Sequence, residues 1–296
     1  MTSNFNERYK KIKQIADSEI EIIENKITEE ISLAEPMQSF LKKFLLAPSK
    51  RLREVLPVLY FKALGKELSQ KQLEVLSVVE IVHNASLIHD DIIDESDLRR
   101  GNKTISCEFG NKLGVIAGDY LLSVALSKLC KLSNVEVIQL FSQTIEKMCI
   151  GEVNQNFSRF KVGTIEDYID KTKNKTGYLF ETAFLSCAML DNSSKYNMNS
   201  LSEFALNLGI AFQIRDDILN MTTFDKTKPY NSDIEDGIYN APVILGSKED
   251  NYSSGIEKTK GLLNNYIQKA GNEIKILPEN KFRLTLEEFL ELLGNV

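Results

Sequence analysis

Glycine and proline are scarce: fifteen and six in 296 residues, and nowhere do they gather into a linker. Long intervals run without a backbone breaker, which suits long helices and leaves little room for the closely spaced turns of a sheet protein. Cysteine is scarce too. Cys107, Cys130, Cys149 and Cys187 lie far apart without a CxxC pair, which disfavours a disulfide framework or a zinc site and points to a reduced, cytoplasmic interior. Positive charge is short, with a net charge of -6. That excludes the broad basic face of a general nucleic-acid binder, yet still permits an anionic substrate covered by metals and local cations. His83 and His89 are the whole histidine complement, too few for a metal phosphohydrolase built on the His89-Asp90 pair. The opening stretch, MTSNFNERYKKIKQIADSEI, has no apolar signal core. The most apolar long stretch, Leu113 to Cys130, carries Asp119 and Lys128 and reads as a buried core helix rather than a membrane span.

What is present is core material. Hydrophobic residues make up 43% of the chain and charged residues 26%, the balance of a soluble protein with a sizeable interior. Helices are expected at 4–33, 37–46, 51–64, 69–94, 113–131, 135–160, 165–190, 198–222, 236–246, 255–272 and 281–293. Segment 69–94 shows the logic: Leu73, Leu76, Val79, Val82 and Leu87 recur at helical spacing, and Val75, Val78 and Ile81 widen the stripe until the helix is buried on most sides. Loops are expected from Thr222 to Asp236 and from Ser247 to Gly255. With no repeat and no domain boundary, residues 1–296 read as one all-α domain.

Two constellations carry chemistry. In IVHNASLIHDDIIDESDLRRG, Asp90 and Asp94 are four apart, so both carboxylates share one helix face and repel unless a cation sits between them. Sparse, hard oxygen ligands suit a Mg²⁺ that keeps several waters and also binds phosphates. Arg99 and Arg100 follow, a pair of guanidinium groups suited to bidentate grip of a diphosphate. In FQIRDDILN, Asp216 and Asp217 end another apolar helical run, ahead of a polar loop with Lys228. Two acidic clusters at the ends of apolar helices suggest that they face across one cavity and hold metal and a diphosphate leaving group. Each pair taken alone also fits a solvated helix end.

HDDIIDESDLRRG resembles the first aspartate-rich motif of the trans-isoprenyl diphosphate synthases (polyprenyl synthetases), and FQIRDDILN resembles their second. SKRLREVLP is similar to their basic segment GGKRxRP. AGDYLL, GEVNQ, KNKTGYLF and TKPYNSDIEDGIYNAPVI match further blocks in order, from about residue 35 to the C-terminus. The resemblance implies an all-α, single-domain helical bundle around a deep central cavity and a homodimer. It implies that Lys50, Arg53, His83 and Arg100 bind the diphosphate of isopentenyl diphosphate. Asp90, Asp94 and Asp216 would ligate Mg²⁺, about three ions. Arg99, Lys175 and Lys228 would hold the allylic diphosphate. Thr176 and Gln213 would line the reacting centre, with Gln155 and Asp217 supporting metal-bound waters. The chemistry is ionisation, condensation and elimination: diphosphate leaves as metals and cations take up its charge. The double bond of isopentenyl diphosphate attacks the allylic cation, and the released diphosphate takes the proton, so no dedicated protein base is needed.

Three departures from the family pattern stand out: Pro48-Ser49 replaces two glycines, Asn220 replaces the last aspartate of the second motif, and the stretch between Pro242 and Ile256 is short. Residues upstream of the first motif point down the product tunnel in this family. Ala85 and Ser86 are too small to plug it, Val82 and Val79 narrow it without closing it, and the motif lacks the two-residue insertion of many short-chain enzymes. A hexaprenyl to octaprenyl product of the kind used for quinone side chains is expected, released with at most peripheral membrane contact. The rivals are a geranylgeranyl or farnesyl diphosphate synthase and an inactive regulatory subunit of a two-component synthase. Retention of Asp90, Asp94, Arg99, Arg100, Lys175 and Asp216 argues against the subunit.

Overall fold

A computed structural model of the chain describes residues 2–191, 196–222, 232–250 and 252–296. Helices α1 (Thr2–Gln14), α2 (Asp17–Thr28), α3 (Met37–Leu45) and α4 (Leu52–Ala63) lead to the long α5 (Gln70–Ile93). A hairpin, β1 (Leu98–Arg99) and β2 (Asn102–Lys103), separates α5 from α6 (Ile105–Phe109) and α7 (Asn111–Lys131). Then come α8 (Val135–Phe157), α9 (Ile165–Thr172), one π-helical turn (Lys173–Gly177), α10 (Tyr178–Met189) and α11 (Met198–Thr222). The last part holds α12 (Ser232–Glu235), α13 (Ala241–Leu245), α14 (Ser253–Glu273) and α15 (Lys281–Gly294). The fold is all-α as expected; the hairpin is the only strand pairing among the described residues.

These elements pack as two compact units. One, here the α5 unit, comprises Lys13–Phe141 with Ser186–Ser194; the other, the α11 unit, comprises Met1–Ile12, Ser142–Leu185 and Lys195–Val296.

In the α5 unit, α5 begins at a capping box. The Ser69 hydroxyl accepts the Gln72 backbone N–H, and the Gln72 side chain accepts the Ser69 N–H at 2.8 Å, so two otherwise orphaned donors are satisfied. Leu73, Val75, Leu76, Val78, Val79, Ile81, Val82, Ala85 and Ile88 are all buried, as the widened stripe predicts. α7 lays Gly114, Ala117, Gly118, Leu121, Ala125 and Leu129 in the interior. It is long and apolar enough to cross a membrane by length and composition, and the core-helix reading holds for one face: Leu113, Ile116 and Leu126 remain exposed. Lys128, fully buried, meets Glu74, Glu29 and Glu30 at 2.6, 3.0 and 3.5 Å, an ammonium ringed by enough carboxylate to survive loss of water.

In the α11 unit, α11 packs against α14 and the π-turn. Phe184 meets Phe204 edge to face at 5.3 Å between ring centroids. α13 and α14 cross so closely that a Cβ on Gly255 would stand 1.9 Å from the Pro242 carbonyl oxygen. Only glycine fits there.

Local structure departs from the sequence expectation at several places, among them the short helices α6 and α12, which fall where no helix is expected. The helix expected over 4–33 is two, broken at Ala16, where the Ile15 carbonyl accepts Lys62 Nζ at 3.4 Å instead of continuing the ladder. Segment 165–190 contains the π-turn. The helix expected over 236–246 shrinks to Ala241–Leu245 because the close α13–α14 crossing ends it at Gly246. The hairpin turns on Arg100 and Gly101, both at positive φ, the pattern of a two-residue hairpin loop. Of the loop expected over 222–236, residues 223–231 lie outside the described residues.

Candidate active site

The α5 unit gathers the first aspartate motif and most of the basic residues. Asp90 closes the last turn of α5 and Asp94 is its C-cap; the Asp94 N–H donates to the Asp90 carbonyl at 2.8 Å. Asp90 is half-buried and Asp94 exposed. Both carboxylates stand at the negative end of the helix dipole, in a last turn without a basic residue, where anionic groups are disfavoured. Asp91, between them, turns inward and is buried. Its Oδ1 accepts Arg99 Nε at 2.6 Å. Burial raises its carboxyl pKa and the Arg99 guanidinium works against that rise. The hairpin and Asp91 thus fix Arg99 beside the aspartate pair.

Lys50 and Arg53, both half-buried, flank Arg51. Arg51 is a buried structural residue at positive φ. It donates through Nε to Glu24 at 3.2 Å, through Nη2 to the Leu45 carbonyl at 2.8 Å and through Nη1 to Glu80. His83 lies one turn beyond Glu80 on α5. Burial, helped by the neighbouring Arg53 guanidinium, pushes the His83 imidazole down to about 3, so it is neutral at physiological pH and still offers an N–H. Val79, Val82 and Ala85 are buried, while the half-buried Ser86 donates to the His83 carbonyl at 2.8 Å.

The α11 unit brings together Lys175, Thr176, Gln213, Asp216, Asp217 and Gln155. The π-turn carries Lys175 and Thr176; such turns recur at functional sites because they swing side chains off the helical register. It nests against α11 where Gly177 meets Gly209: a Cβ on Gly209 would lie 2.9 Å from the Gly177 Cα. Thr176 Oγ1 donates to Gln213 Oε1 at 3.0 Å, and Gln213 Nε2 donates to Asp217 Oδ1 at 2.9 Å. The second oxygen of Asp217 accepts the Tyr168 hydroxyl at 2.6 Å. Burial, then the Asp217 charge, raise the Tyr168 pKa well above its usual value. Lys175 Nζ meets Glu152 Oε2 at 2.5 Å, and Gln155 donates to Glu152 Oε1 at 3.3 Å. Asp216 is half-buried, 3.6 Å from Arg215 Nη1. The buried Arg215 guanidinium lies 3.8 Å from the centroid of the Phe5 ring, a cation–π contact. Asn220 is half-buried, and Lys228 lies outside the described residues.

Sequence reasoning missed Asp91, Arg51, Glu80, Tyr168, Glu152 and Arg215. Arg51, Asp91, Glu152 and Arg215 sit inside quoted motifs and were within reach. Tyr168 gives no local signal, because its partner is 49 residues away.

The family model described as Polyprenyl synthetase matches residues 34–278. The chain is similar to a chloroplastic solanesyl-diphosphate synthase 2 of Oryza sativa subsp. japonica, 32% identical over 83% of this chain and 69% of that protein. Its fold is similar to that of heptaprenyl diphosphate synthase from Staphylococcus aureus, with a TM-score of 0.85 and 26% identity over 95% of this chain and 98% of the other. Geranylgeranyl pyrophosphate synthetase from Pyrococcus horikoshii Ot3 shares the fold with a TM-score of 0.85, at 25% identity over 99% of each chain.

Proposed function

Because this chain belongs to the polyprenyl synthetase family, whose members are prenyltransferases, we propose that it is a Mg²⁺-dependent all-trans polyprenyl diphosphate synthase. It condenses isopentenyl diphosphate with an allylic diphosphate and stops at a medium or long product, hexaprenyl to octaprenyl. The observation that carries this reading is the end of α5, where Asp90 and Asp94 stand one turn apart with Arg99 held beside them by Asp91. The donor set fits Mg²⁺: few hard oxygens, open to water, at the end of a helix whose dipole disfavours their charge. Asp216 is the third ligand of the proposal. Bound Mg²⁺ supplies the positive charge that stabilises the departing diphosphate.

The chain's own residues bind and orient. Arg99 and Lys175 grip the allylic diphosphate, with Lys175 exchanging its Glu152 contact for phosphate oxygens. Lys50, Arg53 and Arg100 hold the diphosphate of isopentenyl diphosphate, and neutral His83 adds a hydrogen bond. The Thr176–Gln213–Asp217–Tyr168 chain fixes the side chains of the reacting centre in advance, so that no reorganisation is needed as charge develops. Small Ala85 and Ser86 leave the growing isoprenoid room. The family match runs through both units, which supports reading 1–296 as one catalytic domain. The exposed Leu113, Ile116 and Leu126 on α7 support a homodimer. A cytoplasmic place rests on the reduced-cysteine pattern; the rice relative is chloroplastic.

The test incubates purified protein with labelled isopentenyl diphosphate, farnesyl diphosphate and Mg²⁺, and measures product chain length. Medium or long products that disappear with EDTA are expected. Products no longer than geranylgeranyl would keep the reaction and overturn the chain length. No elongation from any primer would favour the regulatory-subunit reading.

A further inference from the structure

One buried acid belongs to none of these roles. Glu54 occupies the position of the proline that ends the GGKRxRP segment which SKRLREVLP resembles. It lies in the first turn of α4, completely buried. Neither of its side-chain oxygens receives a hydrogen bond among the described residues. Its carboxyl lies against that of Glu80, itself buried, whose Oε1 already accepts Arg51 Nη1 and Asn84 Nδ2. Ionised carboxylates are acceptors only, so two in contact away from water need one proton between them.

The surroundings decide which of the two holds that proton. Burial, and then the Glu80 charge, raise Glu54 well above the usual carboxylate range. Burial opposes ionisation of Glu80 as well, yet the Arg51 guanidinium carries it down to about 2. Charged and titratable groups reach the pair from every side: Arg51 and Arg53 from the basic segment, Glu24 from α2 through Arg51, neutral His83 from α5 and Arg100 from the hairpin.

We propose that Glu54 stays a carboxylic acid whose O–H donates to Glu80, and that this pair positions the loop carrying Lys50 and Arg53 for the diphosphate of isopentenyl diphosphate. Glu54 is a positioning residue. Its hydrogen bond sets Glu80, Glu80 sets Arg51, and Arg51, at positive φ, sets the chain on either side of it. With Glu54 neutral, the pair carries a single negative charge among the cations Arg51, Arg53 and Arg100. Ionisation of Glu54 at high pH would cancel one of them.

The role rests on the proposed synthase activity, but the protonation does not, and the test separates them. Infrared difference spectra of the whole protein against Glu54→Gln at neutral pH are expected to show a protonated-acid carbonyl band in the wild type only; its absence overturns the proposal. In elongation assays, Glu54→Leu, which has no donor, is expected to raise KM for isopentenyl diphosphate about tenfold, with KM for farnesyl diphosphate and kcat held within about twofold. Glu54→Gln keeps a donor and stays near wild type. Equal kinetics for the two variants, or equal changes in both KM values, overturn the positioning role. If Glu54→Leu does not fold, the alkaline limb decides: KM for isopentenyl diphosphate rises with pH in the wild type and stays level in Glu54→Gln, and a rise in both overturns the role. If the protein elongates nothing, the function reading fails while the infrared band still decides the protonation.

Discussion

Each unit carries two adjacent aspartates at or near the end of a long apolar helix, Asp90–Asp91 in one and Asp216–Asp217 in the other, and in each one acid is committed inward. In the α5 unit that acid is Asp91, and its partner is a cation, Arg99. In the α11 unit it is Asp217, which accepts two uncharged donors, the Tyr168 hydroxyl and the Gln213 amide. The first arrangement ties a half-buried cation to a buried anion, so charge holds geometry. The second grips a buried carboxylate through two neutral donors. The inward acid fixes a turn of helix so that its neighbour, Asp90 or Asp216, is presented without searching. The choice of partner sets how each motif responds to pH, salt and mutation.

The largest effect tests what the two motifs share. Asp90→Asn and Asp216→Asn are each expected to lower kcat for elongation about a thousandfold with the fold retained, read by circular dichroism beside product formation. A mild effect at either position would confine the chemistry to one unit. Next comes the ionic anchor. Asp91→Asn leaves Arg99 without its counter-ion and is expected to cost about 3 kcal/mol in denaturant unfolding, with a raised KM for the allylic substrate. The hydrogen-bonded anchor is milder: Tyr168→Phe is expected to cost about 2 kcal/mol, since Asp217 keeps the Gln213 amide. Equal losses in these two variants would erase the distinction between the units.

Acid should act first on the α5 unit. His83 titrates near 3 in the folded chain and near its ordinary value when unfolded. The unfolded state therefore binds the extra proton, and stability falls as pH drops from about 6.5 toward 3. The slope from this one group is at most about 1.4 kcal/mol per pH unit. Glu80, held near 2, adds a further loss as pH falls from its unfolded value toward 2. His83→Gln should flatten the upper part of that profile in thermal melts. Tyr168 has the opposite signature: its raised pKa keeps the phenol protonated, and stability is lost only on the alkaline side. The smallest effect is expected from Asn220→Asp, which restores the family's last aspartate: a change of about threefold in the Mg²⁺ dependence of kcat.

Much of this was readable along the chain because it is local. The buried stripe of α5, the four-residue spacing of Asp90 and Asp94, and the helical run ending in Asp216 and Asp217 follow from periodicities of three to four residues. What escaped lies between distant residues or in backbone that no side-chain pattern encodes. The break at Ala16 has no glycine or proline to announce it; Lys62 takes up the carbonyl that the helix releases. The π-turn reads as ordinary helix until Gly209 lets Gly177 against α11. Arg51 reads as one of three equivalent basic residues, and packing alone makes it structural.

By itself, then, the amino-acid sequence determined the all-α class and the family, since these rest on short spacings and ordered motifs, and it offered the acids and cations proposed for the chemistry. Tertiary structure alone decided which member of each aspartate pair turns inward and what holds it. It also brought the Glu54 and Glu80 carboxyls together away from water. The physical reason is the same throughout: burial makes a charge dependent on partners that the chain brings in from far away, and no local pattern records where those partners will be.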